Sequence, residues 1–583
     1  GLQAVVTSAA TELAMAKTAV RVNAIFPGSD AGTLDTARTT RTALHLVGEA
    51  KHGPCGMIYY PDERNAGIGD PGPMHGKIAV VTGGGRNLGQ AIALRLAREG
   101  SSVVLAGRGR ADLDLTARAI RSLGCEAASV AADIAFPGER EKILQAARAL
   151  AGGNGGNGSG RPTAGVDLWV NNAGIGGAFA TLGDIELDGE ARWHQTLAIN
   201  FAGAWLGMVR AILDLRRRGA QGGVVNVSTF YADQPYVFRI PYTVPKVMLK
   251  RSAALLADAL RPYGIYVADI QPSLIDGPRF QWVARNYAEH FRRHGVADPE
   301  SDPRVQEWFA RLIPGSAPRP QDVAEAVLFA AQRGLIGSGL GIPVSTLPRA
   351  GASPAPVTRG AAVQPGRSVV LVTTARSHAE IDRTGALAAW CLDRGSQRVV
   401  IAGDDGMMAR LARRLQGGAP DSPWWNLPVA PERDGRLEIR GVDALSPAAM
   451  EDLFGRIGEI DTVIHAPAEP GRGESFVLFA TDPGLSELGD ELLEARYHDH
   501  QRALSLFLDR QVTAALVVAR QAARSLAPGG AFLVSRRRPA TPEAILAAEA
   551  QRQIVRIACE EHRLLGKGMR ASYTHRVPAP SVR

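Results

Sequence analysis

The sequence predicts an α/β protein built from tandem, doubly wound parallel sheets. Residues 77–81 (KIAVV) form a short β-branched run that is typical of a buried parallel strand. A glycine-rich turn follows at residues 82–89 (TGGGRNLG), and apolar residues then recur at helical spacing from Gln90. The same alternation of strand and helix starts again at Arg367. We therefore expect one complete Rossmann-like unit, a second unit after it, and part of a third unit before it.

Length, charge and cysteine content limit the possible functions. A chain of 583 residues is too long for one domain, and its net charge of +8 is modest for that size. No basic cluster with interleaved aromatic residues predicts nucleic-acid binding, and no apolar run appears long enough to span a membrane. The four cysteines are scattered, and the few histidines, such as His465, lack metal-ligand spacing. We expect a cytoplasmic enzyme without a metal.

The turn at residues 82–89 is the strongest signal of a cofactor. A strand, a tight glycine turn and a helix N-terminus create an anion site, because unpaired N–H groups point at a phosphate. The pattern T-G-x-x-x-G-x-G and a later Y-x-x-x-K resemble the short-chain dehydrogenase/reductase family. Asn87 departs from that pattern, since a glycine is usual there. Asparagine tolerates the left-handed backbone conformation better than most residues, so we expect the turn to form.

The predicted cofactor is NADPH. The second strand, residues 102–107 (SVVLAG), ends without an acidic residue and is followed by Arg108, while Arg86 lies in the turn itself. Cations at these points suit a 2′-phosphate. The resemblance further implies that Asp133 contacts the adenine ring and that the N-N-A-G segment closes the site. The predicted cofactor-binding residues are Gly83, Arg86, Asn87, Leu88, Gly89, Arg108, Asp133, Asn171, Ala173, Gly174 and Lys246.

The predicted catalytic residues are Tyr242, Lys246, Ser228 and Asn200. Tyr242 and Lys246 are four residues apart, so a helix places them on one face, where the ammonium group favours ionisation of the phenol. Ser228 follows a predicted strand fourteen residues upstream of the tyrosine. The family resemblance implies that Tyr242 donates a proton, Lys246 also holds the nicotinamide ribose, Ser228 binds the substrate oxygen and Asn200 anchors a relay water.

Internal similarity divides the chain into four parts. Residues 19–28 (AVRVNAIFPG) match residues 264–273 (GIYVADIQPS), so we interpret residues 1–66 as the tail of a preceding reductase unit in a longer, multidomain polypeptide. Residues 67–350 form the predicted catalytic unit, and residues 351–365 form a linker rich in Pro, Gly and small residues. Residues 366–583 form a further, degenerate unit.

The degenerate unit lacks the machinery in sequence. Residues 460–468 (IDTVIHAPA) overlay 166–174 (VDLWVNNAG), and 530–535 (GAFLVS) overlay 223–228 (GVVNVS). Its first turn has no glycines, and this register places Glu549, Gln553 and Arg510 opposite Tyr242, Lys246 and Asn200. We expect a catalytically silent copy that pairs with the active one as an internal pseudo-dimer. The competing hypothesis, independent domains on a linker, predicts exposed apolar helix faces around residues 514–519.

The order of the units resembles the C-terminal half of the bifunctional malonyl-CoA reductase family. That resemblance implies NADPH-dependent reduction of a CoA thioester, malonyl-CoA, to malonate semialdehyde and free CoA. The N-terminal half then carries the semialdehyde to 3-hydroxypropionate, a route of carbon fixation. Arg239, Arg279 and Arg285 are the candidate ligands for the substrate. We also expect a homo-oligomer.

Two alternatives remain open at the level of sequence. The first is an NADPH-dependent ketoreductase that acts on a β-keto acyl thioester or a small carbonyl compound with the same catalytic residues. The second is a non-enzymatic NADPH-binding scaffold, which would be expected to lose Tyr242 or Lys246, whereas both are present.

Overall fold

A computed structural model describes most of the chain from residue 74 onward. The described residues are 74–153, 165–187, 192–275, 278–312, 317–339, 341–344, 365–417, 436–477, 479–536, 538–566 and 568–574, together with two short strands at 24–25 and 58–59. Most of the predicted tail unit at 1–66, and nearly all of the predicted linker at 351–365, lies outside them. The two short strands pair in parallel, Ala24 with Ile58.

The first unit is a seven-stranded, fully parallel sheet covered by helices on both faces. Its strand order is β3-β2-β1-β4-β5-β6-β7. The strands are β1 Ile78–Thr82, β2 Ser102–Gly107, β3 Ala127–Ala131, β4 Leu168–Asn171, β5 Gly222–Val227, β6 Ile265–Pro272 and β7 Gly341–Val344. The helices are α1 Asn87–Arg98, α2 Arg110–Ser122, α3 Pro137–Gly153, α4 Arg192–Leu197, α5 Ala204–Arg217, α6 Ile240–Leu260, α7 Pro278–Arg293, α8 Pro303–Leu312 and α9 Pro320–Arg333. Because β1 and β4 are central and run in parallel, their carboxyl ends open into one crevice.

The second unit repeats this architecture with six parallel strands. The order β10-β9-β8-β11-β12-β13 matches the first six positions of the first sheet. The strands are β8 Ser368–Thr373, β9 Arg398–Gly403, β10 Leu437–Gly441, β11 Ile460–Ala466, β12 Leu526–Ser535 and β13 Arg570–Thr574. The helices are α10 His378–Asp393, α11 Asp405–Gly417, α12 Pro447–Ile457, α13 Asp490–Phe507, α14 Ala514–Ser525 and α15 Pro542–Leu564. The predicted tandem α/β fold is thus confirmed.

The two units share one hydrophobic core. Helix α6 of the first unit packs against α15 of the second, and buried residues of both units belong to one continuous cluster. Residues 514–519 are buried, each with at most 2% of its surface exposed. The independent-domain hypothesis predicted that this face would be exposed, so that hypothesis is wrong. Polar groups also join the units, since Trp193 Nε1 donates to Thr513 Oγ1 at 3.2 Å and Tyr497 Oη donates to the Leu206 carbonyl at 3.1 Å.

A π turn interrupts the long helix of each unit at the same place. Residues Ala198–Gly203 join α4 to α5, and Leu508–Thr513 join α13 to α14. The third residue of each turn is Asn200 in the first unit and Arg510 in the second. The whole segment Arg192–Arg217 has the length and composition of a membrane span, which the sequence reading overlooked. However, 83% of its most apolar window is buried inside the fold.

The strand register corrects one detail of the internal overlay. Asn171 pairs with Asn226, whereas His465, which overlays Asn171, pairs with Val534. Ser228 lies two residues after Asn226, and Arg536 lies two residues after Val534. Arg536, and not Ser535, therefore occupies the position that corresponds to Ser228. The ungapped comparison failed because the pairing of β11 with β12 shifts after Ile460.

Candidate functional site

The glycine-rich turn adopts the conformation that the sequence predicted. Gly83 has a φ of 68° and Asn87 a φ of 49°, so Asn87 occupies the left-handed region and α1 begins there. Gly89 packs so closely on the turn that an added Cβ would lie 2.0 Å from the Gly83 carbonyl oxygen. The expectation that asparagine at position 87 permits the turn is therefore confirmed.

The N-terminus of α1 is open to an anion. Its N-cap residue, Arg86, makes no side-chain capping hydrogen bond, and the first turn of the helix contains no acidic residue. The first N–H groups of a helix have no partner within the helix, so this end favours a bound phosphate. The arrangement therefore fits the pyrophosphate of a dinucleotide.

Asn172 and Thr82 brace the turn, and neither was singled out from the sequence. The Asn172 side-chain amide donates to the Thr82 carbonyl at 2.8 Å. The Thr82 hydroxyl accepts hydrogen bonds from the backbone N–H groups of Asn172 and Ala173, each at 3.0 Å. These bonds tie β1 to the end of β4 and fix the floor of the crevice. The N-N-A-G segment was the sequence signal for this position, but the prediction named Asn171 and not the adjacent Asn172.

The other predicted cofactor residues occupy different settings. The Arg86 side chain is 77% exposed and lies 4.0 Å from Asp112, and Arg108 is exposed at the end of β2. Asp133 accepts a hydrogen bond from the Ala135 N–H at 3.0 Å. The Asn171 side chain points into the core, where it accepts from Trp169 at 2.7 Å and donates to Asn226 at 2.9 Å. Its side chain is therefore committed to holding strands together.

The four predicted catalytic residues surround the carboxyl ends of β4 and β5. Ser228 directly follows β5, and Tyr242 and Lys246 lie one turn apart on α6. The Lys246 ammonium donates to the Val227 carbonyl at 2.7 Å. A Cβ on Gly174 would lie 3.2 Å from Asn200 Oδ1 and 3.5 Å from Lys246 Nζ, so both side chains line the space beside that glycine.

Asn200 is held by the backbone of the segment that follows β4. Its Oδ1 accepts from the Ile175 N–H at 2.8 Å, and its Nδ2 donates to the Ile175 carbonyl at 2.9 Å. The side chain is completely buried. The π turn that carries Asn200 therefore brings the long helix into register with the N-N-A-G segment.

Ser228 has an acidic neighbour that the sequence reading did not identify. Its Oγ lies 2.7 Å from Asp269 Oδ2, and Ser228 and Asp269 are only 4% and 1% exposed. Burial raises the pKa of Asp269 to about 7, although the hydrogen bond to Ser228 and the positive charges of Lys250 and Lys246 act in the opposite direction.

Arg239 lies beside the catalytic tyrosine and is 2% exposed. Its guanidinium carbon is 5.1 Å from the ring centre of Phe179, 5.3 Å from that of Tyr242 and 5.9 Å from that of Tyr236. Its Nε and Nη1 make no hydrogen bond within the described part of the chain. Within the described part of the chain, the groups that contact this buried cation are ring faces, and an anionic ligand would complete the arrangement.

The remaining candidate arginines are placed less favourably. Arg285 is exposed on α7, and Arg292 on the same helix is paired with Glu300 at the surface. The side chain of Arg279 lies outside the described residues. Trp282 is 44% exposed and meets the edge of Phe179, with ring centres 6.2 Å apart.

The second unit holds the segment that carries Arg239. The Glu561 carboxylate on α15 accepts from the Leu182 N–H at 2.7 Å and from the Phe238 N–H at 3.4 Å, and Glu561 is 1% exposed. Phe238 has a φ of 59°, a left-handed conformation that a non-glycine residue rarely adopts. The Gln553 amide, from the same helix, donates to the Gln234 carbonyl at 2.7 Å.

Charged side chains occupy the corresponding crevice of the second unit. Arg376, at the first turn, pairs with the fully buried Glu474, and Arg536 donates to Gln511 at 3.2 Å and to Glu469 at 3.3 Å. Helix α15 contains neither Tyr nor Lys. Within the described residues, no group of three His, Cys, Asp or Glu side chains is arranged to hold a metal ion.

Comparison with known proteins identifies the family. A family model for the short chain dehydrogenases matches residues 77–287. The 3beta-hydroxysteroid dehydrogenase 1 of Eggerthella lenta is 32% identical over 260 residues, which cover 44% of this chain and 87% of that protein. A putative ketoacyl reductase 2 of the granaticin polyketide synthase from Streptomyces violaceoruber is 30% identical over 257 residues, 43% of this chain and 88% of its own length. The chain belongs to the short-chain dehydrogenase family of oxidoreductases.

Solved structures match both units together. The N-domain of a bacterial malonyl-CoA reductase, determined with NADP, superposes with a TM-score of 0.63 at 20% identity and covers 86% of this chain and 92% of its own. The C-domain, also determined with NADP, gives a TM-score of 0.63 at 17% identity, with 86% and 91% covered. At these identities the likeness establishes the fold, a tandem pair of Rossmann-like sheets.

Proposed function

We propose that this protein reduces a CoA thioester that bears a free carboxylate, with malonyl-CoA as the substrate and malonate semialdehyde and CoA as products. The observation that carries the proposal is the buried Arg239 guanidinium beside Tyr242, which lacks an anionic partner among the described residues. A carboxylate two carbons from the thioester carbonyl would pair with this cation while the carbonyl faces Tyr242. The common architecture with the malonyl-CoA reductase domains supports the choice of substrate.

The proposed cofactor is NADPH, which when bound supplies the hydride. The open N-terminus of α1 and the turn at Asn87 fit its pyrophosphate. Arg108 and Arg86 are exposed cations near the end of β2, where an NAD-specific site would place a carboxylate. Their charge supports NADPH over NADH.

The catalytic side chains stabilise charge on the substrate oxygen. Ser228 and Tyr242 donate hydrogen bonds to the carbonyl as it becomes an oxyanion, and Tyr242 passes its proton to that oxygen. Lys246 favours the phenolate that remains. The resulting thiohemiacetal then collapses: the Tyr242 phenolate takes back the hydroxyl proton, the carbonyl of the aldehyde forms, and the C–S bond breaks to release CoA thiolate.

The reaction needs no acyl-cysteine. Cys391 is buried in the second unit, and burial raises the pKa of its thiol to about 12, which suppresses the reactive thiolate. Cys125 precedes β3, and its thiol is engaged with the Ala97 carbonyl at 3.1 Å.

We further propose that residues 67–350 form the catalytic unit and residues 366–583 a silent one. The ion pairs of Arg376 and Arg536 fill the second crevice where a dinucleotide would bind. The absence of Tyr and Lys from α15 removes the acid pair. The silent unit instead supplies the other half of the helix interface and holds the Phe238–Arg239 segment.

A ketoreductase is the second candidate. It is favoured by the 30% identity to the putative ketoacyl reductase 2, and it would use the same Ser228, Tyr242 and Lys246 without cleaving a C–S bond. The N-domain and the C-domain of the malonyl-CoA reductase match this chain with the same TM-score. Reduction of a small carbonyl compound therefore remains part of this second candidate.

The deciding experiment follows NADPH absorbance and free thiol together during incubation with malonyl-CoA. We expect one thiol for each NADPH oxidised. Oxidation with an acetoacetyl thioester or an aldehyde, and none with malonyl-CoA, would establish the ketoreductase or carbonyl reductase instead. Tyr242→Phe should lower turnover by about three orders of magnitude, because the proton donor is lost, while leaving NADPH affinity nearly unchanged. Turnover by that variant at the wild-type rate would contradict the mechanism.

A further inference from the structure

Ser228 and Asp269 form a buried polar pair beneath the site. Ser228 follows β5, Asp269 lies on the neighbouring β6, and Asn226 is the strand partner of Asp269. The distance of 2.7 Å between Ser228 Oγ and Asp269 Oδ2 suits a hydrogen bond in either direction. An ionised Asp269 accepts the serine proton, whereas a neutral Asp269 donates its own proton to the serine oxygen.

The fold does not require a carboxyl group at this position. Ser228 N–H donates to the Ile270 carbonyl, and Arg536 N–H donates in the same way to the Thr574 carbonyl, so Tyr573 of the second unit corresponds to Asp269. In the pair of short strands near the N-terminus, Ala24 occupies the position that corresponds to Asp269, since Ala24 pairs with Ile58 and Asp269 pairs with Gly341. Among the described residues, the first unit has an acid at this position, close to Tyr242 and Lys246, whereas the second unit, which lacks that pair, has Tyr573. The absence of a carboxyl group from the second unit favours a catalytic over an architectural role for Asp269.

We propose that Asp269 is a positioning residue that sets the direction of the Ser228 hydroxyl: the neutral acid turns the serine proton toward the substrate oxygen, and the ionised acid draws it away. The inference rests on the proposed reductase chemistry at Ser228. In the productive state, Asp269 donates to Ser228 and Ser228 donates to the developing oxyanion. No bond to carbon forms or breaks at Asp269: ionisation releases its carboxyl proton to the solvent, and the direction of the two hydrogen bonds then reverses.

The surroundings of Asp269 place this switch near neutral pH. The charged groups that face it are Lys246 and Lys250 on α6, and Gln271 lies on its own strand. Burial outweighs these groups and raises the pKa of the carboxyl to about 7. The productive, neutral form therefore exists below about pH 7 and is lost above it.

The test is a pH profile of kcat/KM for NADPH-dependent reduction of malonyl-CoA. We expect the wild-type value to fall by about 100-fold as Asp269 ionises, the loss typical of removing one oxyanion donor. Asp269→Asn offers a permanent amide donor to Ser228, so its profile should lack this fall. A merely structural role would lower the rate of Asp269→Asn equally at every pH and leave the shape unchanged, which would overturn the proposal. Asp214→Asn, at a buried carboxylate paired with Arg148 and Arg218, serves as the control and should keep the wild-type profile.

Infrared spectroscopy of the protein without substrate separates the two proposals. A protonated carboxyl band that titrates near neutral pH, and that is missing from Asp269→Asn, supports the positioning role even if malonyl-CoA is not reduced. An Asp269 carboxyl that is already ionised at about pH 5 would refute the role, whatever the substrate.

Discussion

Replacing Arg239 with methionine tests the proposed substrate directly. The change removes the guanidinium but keeps an apolar stem of similar length against Phe179 and Tyr242, so the packing of the ring cluster should survive. In the free protein the guanidinium is 2% exposed, with Nε and Nη1 lacking hydrogen-bond partners among the described residues. Because an unpaired buried charge destabilises a fold, we expect Arg239→Met to be at least as stable as the wild type.

The effect on catalysis should be large and selective. Removing one partner of a buried, hydrogen-bonded charge pair typically costs about 2–5 kcal/mol. A loss of about 3 kcal/mol corresponds to about a 150-fold fall in kcat/KM for malonyl-CoA. Acetyl-CoA has the same thioester without the carboxylate, so its low kcat/KM should change by less than about threefold.

The assay compares both substrates by NADPH oxidation, with thermal unfolding as the stability check. Arg293→Met is the matched control, because Arg293 lies on α7 with 63% of its side chain exposed and pairs with Glu289 at the surface. It should leave both substrates unaffected. If Arg239→Met lowers kcat/KM for malonyl-CoA and acetyl-CoA by the same factor, Arg239 does not bind the carboxylate and the reasoning fails.

Three further predictions concern the turn, the interface and the buried acid. Gly89→Ala should abolish NADPH binding measured by cofactor fluorescence, because its Cβ would lie 2.0 Å from the Gly83 carbonyl oxygen. Glu561→Ala should raise KM for malonyl-CoA several-fold without changing NADPH affinity, because it leaves the Phe238 N–H without its acceptor. In urea titrations, the wild type should lose about 4 kcal/mol of stability relative to Asp269→Asn between about pH 4 and pH 7, because a carboxyl with a raised pKa of about 7 in the folded state must ionise at increasing cost as the pH rises.

Each of these predictions has a control within the chain. Gly138→Ala, at a glycine whose added Cβ meets nothing within 4 Å, should leave NADPH binding intact. Glu560→Ala removes a carboxylate that pairs with Arg563 on the same helix and should leave KM unchanged. Equal stability differences between wild type and Asp269→Asn at both ends of the pH range would show that folding does not raise the pKa of Asp269.

The fold and the outline of the site followed from local patterns. The glycine turn, the buried strands and the Tyr242–Lys246 spacing are short-range signals, because backbone geometry and helix periodicity act over a few residues. Even the departure at Asn87 was interpretable, since the left-handed backbone restricts the choice to few residues.

The parts that escaped prediction depend on contacts between distant segments. Asp269 approaches Ser228 across 41 positions of sequence, and Glu561 reaches Phe238 across 323. The helical and strand periodicities of a sequence do not indicate which distant residues come into contact. The shift that moved Arg536 into the position of Ser228 arose from irregular pairing in β12, which an ungapped comparison cannot detect. The sequence also does not show which of two adjacent amides faces the core: the Asn171 side chain bonds to Asn226, whereas the Asn172 side chain bonds to the Thr82 carbonyl beside the turn.

The matched π turns at Ala198–Gly203 and Leu508–Thr513 limit which changes in sequence the two long helices can accept. A π turn contains one residue more than an α-helical turn. Deleting that residue would rotate all later side chains of the helix by about 100° and disrupt the packing of the shared core. The second unit can therefore carry Arg510 at the position of Asn200 while it keeps the π turn itself. In the proposed division of roles, the first unit carries the catalytic residues, and the second keeps its π turn because the packing of the shared helix interface depends on it.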